Sequence, residues 1–359
     1  MGLALVATTS LTATAAKRWL GGDISMLPAL QQRGAQYADI VGRSVDPYAL
    51  FKQQGWNMMR VRLFVEPALA NSQHRDEGVC QDLPYVIDLC RDIKRHGFKV
   101  MLDFHYSDTW ADPAKQYMPQ RWQGVDERTV ADSVYHYTRE TLLAMKSAGV
   151  VPDMIQVGNE ITNGMVWPLG RVNPSADDGW YTLLAMLHQG VKACREVCPK
   201  AKLIIHTEKA GVWPITRNYY DHMEQARLDY DIIGLSYYPM WHGTISNLGA
   251  TLDSLAVRFP SKPVMIVEAA YYYLHDGRSW GGDEDFSQCP PGTIEGQRQF
   301  THDLVAELRR HKNVTGLFWW YPEENNYGIA GARGGLNRGL FNNRNGHALP
   351  ALYELRHFR

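Results

Sequence analysis

Short apolar runs alternate with helix-like segments eight times along this chain, and few folds accommodate that rhythm. The apolar runs cover residues 19–26, 58–65, 99–104, 154–157, 202–206, 232–236, 264–267 and 315–319. The helix-like segments cover 47–54, 83–96, 127–148, 180–197, 216–228, 248–259, 295–311 and about 349–357. In the second of these, Val86, Ile87, Leu89, Cys90 and Ile93 repeat at helical spacing. Gly97 and Gly149 fall where helix C-caps belong. The strand-like runs are apolar on both parities, as in strands covered on both faces. Eight such units predict a single-domain α/β fold, a (β/α)8 TIM barrel spanning residues 17–359. The alternative is a doubly wound open sheet. That fold normally carries a GxGxxG phosphate loop after its first strand, and none follows here.

Composition narrows the function classes. The chain has 45% hydrophobic and 21% charged residues and a formal net charge of −1, which is globular and unsuited to nucleic acid. Residues 1–16 are apolar and small, and they read as a signal peptide that lacks its basic start. The expected location is therefore secreted or periplasmic. No later stretch reaches the roughly 20 apolar residues of a membrane span. The five cysteines show no metal-finger spacing; Cys194 and Cys198 read as helix packing, with a disulfide as the alternative. A monomer is expected. The 11 Trp and 19 Tyr cluster near strand ends, in Trp319-Trp320-Tyr321 and Tyr271-Tyr272-Tyr273. Flat rings beside polar groups suit the faces of sugars.

In such a barrel the strand ends converge on one mouth. They would deliver Arg60, Asp103, His105, Asn159, Glu160, His206, Glu208, Tyr237, Tyr238, Trp241, Glu268, Trp320 and Glu323. Two glutamates stand out. Glu160 closes the fourth strand in "VGNEITNG", and Glu268 closes the seventh in "VMIVEAAYYY". Strands four and seven lie opposite each other, so these carboxyls can flank one bond of a bound chain. Retaining glycoside hydrolysis needs two carboxyls about 5–5.5 Å apart, one as acid/base and one as nucleophile. Asn159 and Glu160 are adjacent, and a regular strand would send them to opposite faces, so a bulge or strand-end twist is expected there. Arg60 is the cation expected to favour the ionised form of Glu268, with Tyr237 or Tyr238 orienting it. Glu160 is expected to be raised by less polar surroundings. Asp103 and His105 share one face without a third ligand for zinc, and they read as sugar contacts. No cofactor is required. Asp283 and Asp285, in an acidic loop, are the weak candidates for a structural Ca2+.

The motifs "LDFHYSDTWADPAKQ", "VGNEITNGMVWP", "GLSYYPMWHG" and "GLFWWYPE" resemble those of glycoside hydrolase family 53, the endo-β-1,4-galactanases, and "GGDISML" and "NMMRVRLFVEP" fit its first two strands. The resemblance implies a clan A barrel that cleaves β-1,4-galactan, the side chains of type I arabinogalactan, with retention. It matches the acid/base to Glu160 and the nucleophile to Glu268. Arg60, His105, Asn159 and Trp320 match clan positions around the cleavage point. The chain departs from the family at Glu268-Ala269-Ala270-Tyr271-Tyr272, where Glu-Thr-Ala-Tyr-Pro is usual. The chemistry of the residues alone leaves two other readings open: a clan A endo-β-glycanase acting on mannan or glucan, and a non-catalytic sugar-binding barrel.

Overall fold

A computed structural model describes residues 18–176, 178–275, 283–332 and 335–359. The segment 1–16, read from the sequence as a signal peptide, lies outside the described residues. Eight parallel strands close into a barrel: β1 Trp19–Asp23, β2 Met58–Leu63, β3 Lys99–Phe104, β4 Met154–Val157, β5 Lys202–Thr207, β6 Ile232–Tyr237, β7 Val264–Ala269 and β8 Val314–Trp320. Each strand pairs with its neighbours in chain order, and β8 closes the ring on β1 through Asp23 and Trp320. The main helices are α1 Pro47–Gln53, α2 Leu83–Arg95, α3 Glu127–Ser147, α4 Trp180–Val197, α5 Trp213–Gln225, α6 Ile245–Arg258, α7 Ile294–Arg310 and α8 Pro350–Leu355. The expected alternation is therefore the architecture.

Local chemistry sets the boundaries. Asp46, Asp82, Asp126, Thr244 and Thr293 accept backbone N–H groups at the starts of α1, α2, α3, α6 and α7. Gly97 and Gly149 follow α2 and α3 with φ of +76° and +74°, the left-handed geometry that suits a C-cap glycine. β1 stops at Asp23, short of the expected residue 26, because the Asp23 carboxylate accepts the Ser25 N–H and hydroxyl and turns the chain. All five cysteines are unpaired, and Cys194 and Cys198 are buried as packing residues.

The barrel interior is layered. Met58, Met101, Met154, Ile204, Ile232, Met265, Val267 and Phe318 form an apolar plug, separate from the core between strands and helices. Two residues further along their strands, Arg60, Asp103, Gln156 and His206 stand on the same parity, as does Ser236 four residues beyond Ile232, and all five are buried. The floor of the mouth is therefore polar but closed to water.

β7 breaks this parity. Leu235 on β6 pairs with Ile266, but Ser236 pairs with Glu268, and β8 registers the same extra residue. The bulge lets Val267 join the plug and still turns Glu268 inward. Without it, Glu268 would share the parity of Ile266, which packs in the strand–helix core.

Candidate active site

Two donors fix Glu268. Arg60 Nη2 lies 2.8 Å from its Oε1, and the Tyr238 hydroxyl donates to its Oε2 at 2.7 Å. Arg60 is itself immobilised. It donates to Asp23 at 2.9 Å, to Asp103 at 2.8 Å, to the Asn159 side-chain oxygen at 2.7 Å and to Gln156 at 3.3 Å. One buried guanidinium thus serves three carboxylates, Asp23, Asp103 and Glu268.

Glu160 reaches the mouth by a strand-end twist, one of the two expected devices. β4 ends at Val157, and Gly158 and Glu160 then take positive φ values of +89° and +48°. The left-handed turn brings both Asn159 and Glu160 inward. Such a backbone is uncommon for a residue with a side chain, and it clusters at functional sites. Gln116 holds the turn by donating to the carbonyls of Asn159 and Glu160.

Some expected contacts move to supporting positions. Asp103 is fully buried beneath Arg60 and His105, so its expected sugar contact is corrected to a role under the floor. His105 accepts the Ala111 N–H at Nδ1 and lies 3.1 Å from Asp103 through Nε2, so both ring nitrogens are committed within the protein. Tyr237 is also corrected. Its ring packs on Phe300 in the helix layer and its hydroxyl donates to the Gly243 carbonyl, leaving Tyr238 as the tyrosine on Glu268. Asn159 keeps one amide N–H beyond its bond to the Ala111 carbonyl. Trp320 and Trp241 remain partly exposed at the rim. Glu208 accepts the Thr162 hydroxyl at 2.5 Å beside Lys209. Glu323 is buried and accepts the Met26 N–H. Asp285 accepts the N–H of Ser287, and no group of three acidic, His or Cys side chains suited to a metal occurs among the described residues.

The sequence profile described as "Glycosyl hydrolase family 53" matches residues 19–355, nearly the whole barrel. The chain belongs to glycosyl hydrolase family 53. The endo-beta-1,4-galactanase of Bacillus subtilis strain 168 is 32% identical over 84% of this chain and 69% of its own. The catalytic domain of the family 53 protein of Ignisphaera aggregans superposes with a TM-score of 0.84 at 30% identity, covering 99% of both chains. One of two fungal beta-1,4-galactanases superposes at 0.78 with 28% identity, over 95% of this chain and 99% of that one. This family 53 member is accordingly a glycoside hydrolase.

The electrostatics of its two glutamates differ. Burial raises the Glu160 carboxyl well above its ordinary value, and the facing charges of Glu268 and Glu208 add to the rise. Burial raises Glu268 as well, but Arg60 and Tyr238 act against it. The proton of the pair therefore belongs on Glu160.

Three residues behind Glu160 went unread in this role. Gln156 donates to His206 Nδ1 at 2.9 Å and the Glu160 N–H approaches the same nitrogen at 3.3 Å, so Nδ1 is an acceptor. Burial keeps the ring neutral by lowering its pKa far below the ordinary histidine range. Its proton then sits on Nε2, which donates to the Ser236 hydroxyl at 2.8 Å. The Ser236 proton is left to bond the Glu160 carboxylate and lowers its pKa. Polar residues in otherwise apolar strands, Gln156 in "MIQV" and Ser236 in "IIGLSY", were the available signal. Ser236→Ala removes a bond to the ionised form, so Glu160 holds its proton to higher pH. The alkaline limb of the kcat/KM profile is expected to shift upward, read from pH–rate curves; an unmoved limb contradicts the arrangement.

Proposed function

We propose that this family 53 protein is a retaining endo-β-1,4-galactanase, with Glu268 as nucleophile and Glu160 as acid/base. The observation that carries the reading is the unequal treatment of two facing buried carboxyls: Arg60 and Tyr238 grip Glu268, and Glu160 is left among acidic neighbours. The activity named for the Bacillus subtilis relative supports the choice of substrate.

In the first step a Glu268 oxygen bonds to the anomeric carbon while the glycosidic bond breaks, and the leaving oxygen takes the proton of Glu160. The glycosyl ester relieves Glu160 of the facing charge, so its pKa falls and its carboxylate can take a proton from water. That water's oxygen then displaces Glu268 and restores the original anomeric configuration. The spare Asn159 N–H is suited to the hydroxyl beside the reacting carbon, and Trp320 to a sugar face. Hydrolysis of this kind uses water alone and calls for no cofactor. The same reading has the chain exported, secreted or periplasmic, on the strength of the apolar stretch through Ala16, and acting as a monomer.

Incubation with β-1,4-galactan, mannan and cellulose tests the assignment. Short oligosaccharides are expected from galactan alone, and proton NMR should detect the β-anomer of the new reducing end first. No release from galactan, or the α-anomer first, contradicts the proposal.

A further inference from the structure

Arg338 lies in the loop after β8 and is 5% exposed. Its guanidinium carbon lies 5.1 Å from the ring centre of Trp320, 5.3 Å from Tyr272, 5.5 Å from Trp241 and 5.8 Å from Tyr238. Tyr238 is the donor to Glu268, so this aromatic box adjoins the cleavage point. Among the described residues no carboxylate forms an ion pair with Arg338, and its Nε is buried without a hydrogen-bond partner.

The nearest acid in the loop is otherwise engaged. Glu324 accepts the backbone N–H groups of Asn337, Arg338 and Gly339 and the side-chain amide of Asn343. Trp319 Nε1 donates to the Arg338 carbonyl. The loop backbone is thus fixed from two sides, while the side chain it presents keeps an unneutralised charge. Four ring faces offset part of the desolvation of that charge. They supply no acceptor for its fork of five N–H donors, which matches a carboxylate bidentately. An arginine serving only as packing would be costly here, since an apolar side chain fills such a space without burying a charge.

We infer that Arg338 and its aromatic box form a subsite for an acidic sugar, taking the carboxylate of a hexuronate unit in or beside the β-linked chain. The inference deepens the proposed function and rests on it for the placement of the chain across the mouth. The guanidinium pairs with the carboxylate, and Trp320 or Trp241 stacks on the ring that carries it.

Intrinsic tryptophan fluorescence reads the binding directly, because Trp241 and Trp320 line the box. The probes are neutral β-1,4-galactotetraose and the same tetraose carrying a terminal hexuronic acid. The acidic chain is expected to bind about tenfold more tightly at low ionic strength, with the advantage shrinking as salt is added. Arg338→Gln should bring the two probes to parity. Arg338→Lys, which keeps the charge without the planar fork, should retain only a salt-sensitive part of the preference. Circular dichroism and thermal melting check that each variant is folded. Equal affinity in the parent protein, or a preference that survives Arg338→Gln, overturns the inference. Galactan turnover is measured in parallel. A protein that cleaves galactan without preferring the acidic probe loses this inference alone. One that prefers the acidic probe through Arg338 but leaves galactan intact loses the galactanase reading alone.

Discussion

Glu268→Ala is expected to abolish turnover on every substrate, whatever its leaving group. The substitution removes the atom that forms the bond to the anomeric carbon, on the carboxylate that Arg60 and Tyr238 hold from two sides. A loss of at least about 10⁴-fold in kcat, or roughly 5 kcal/mol of barrier, is anticipated on galactan and on aryl β-galactosides alike. Steady-state assays on both substrate types check it. The substitution also leaves Arg60 with two carboxylates, Asp23 and Asp103, in place of three, so a folded variant is expected. A variant that retains activity on activated substrates would move the nucleophile elsewhere.

Glu160→Ala should behave asymmetrically. Galactan has a poor leaving group that needs a proton, and its turnover should fall by about 10²–10⁴-fold, the usual contribution of general acid–base catalysis. A dinitrophenyl β-galactoside leaves without protonation, so its first step should be largely spared. The glycosyl intermediate then accumulates because no base activates water. A burst of dinitrophenol followed by a slow steady rate is the expected trace, and added azide should speed the slow phase by attacking without base assistance. Equal losses on the two substrates would remove Glu160 from the acid role.

The fold was legible because helices and parallel strands leave separate periodicities, and because Gly97 and Gly149 sit just past helix ends. The choice between Tyr237 and Tyr238 was also within reach. Counting by twos from Ser236, a polar residue in an apolar strand, selects Tyr238 for the interior. The β7 bulge was not readable. "VMIVEA" is buried on both parities, so its pattern carries no phase, and the extra residue appears only through pairing with β6 and β8. The turn at Glu160, by contrast, was anticipated in kind. A strand-end twist was one of the two expected devices, and the left-handed pair Gly158 and Glu160 provides it. Arg338 could not be anticipated from the strand ends. Its box draws on loops after β6, β7 and β8, and no local pattern joins them.

The left-handed conformation at Glu160 sets chemistry against foldability. A glutamate held there strains the main chain by about 1–3 kcal/mol, and its carboxyl is buried against like charges as well. Asparagine or glycine suits that conformation better. Selection for heat resistance alone should therefore pull this position away from glutamate, towards a tougher barrel that no longer cuts its substrate. The residue proposed as acid/base is one the scaffold would rather be without.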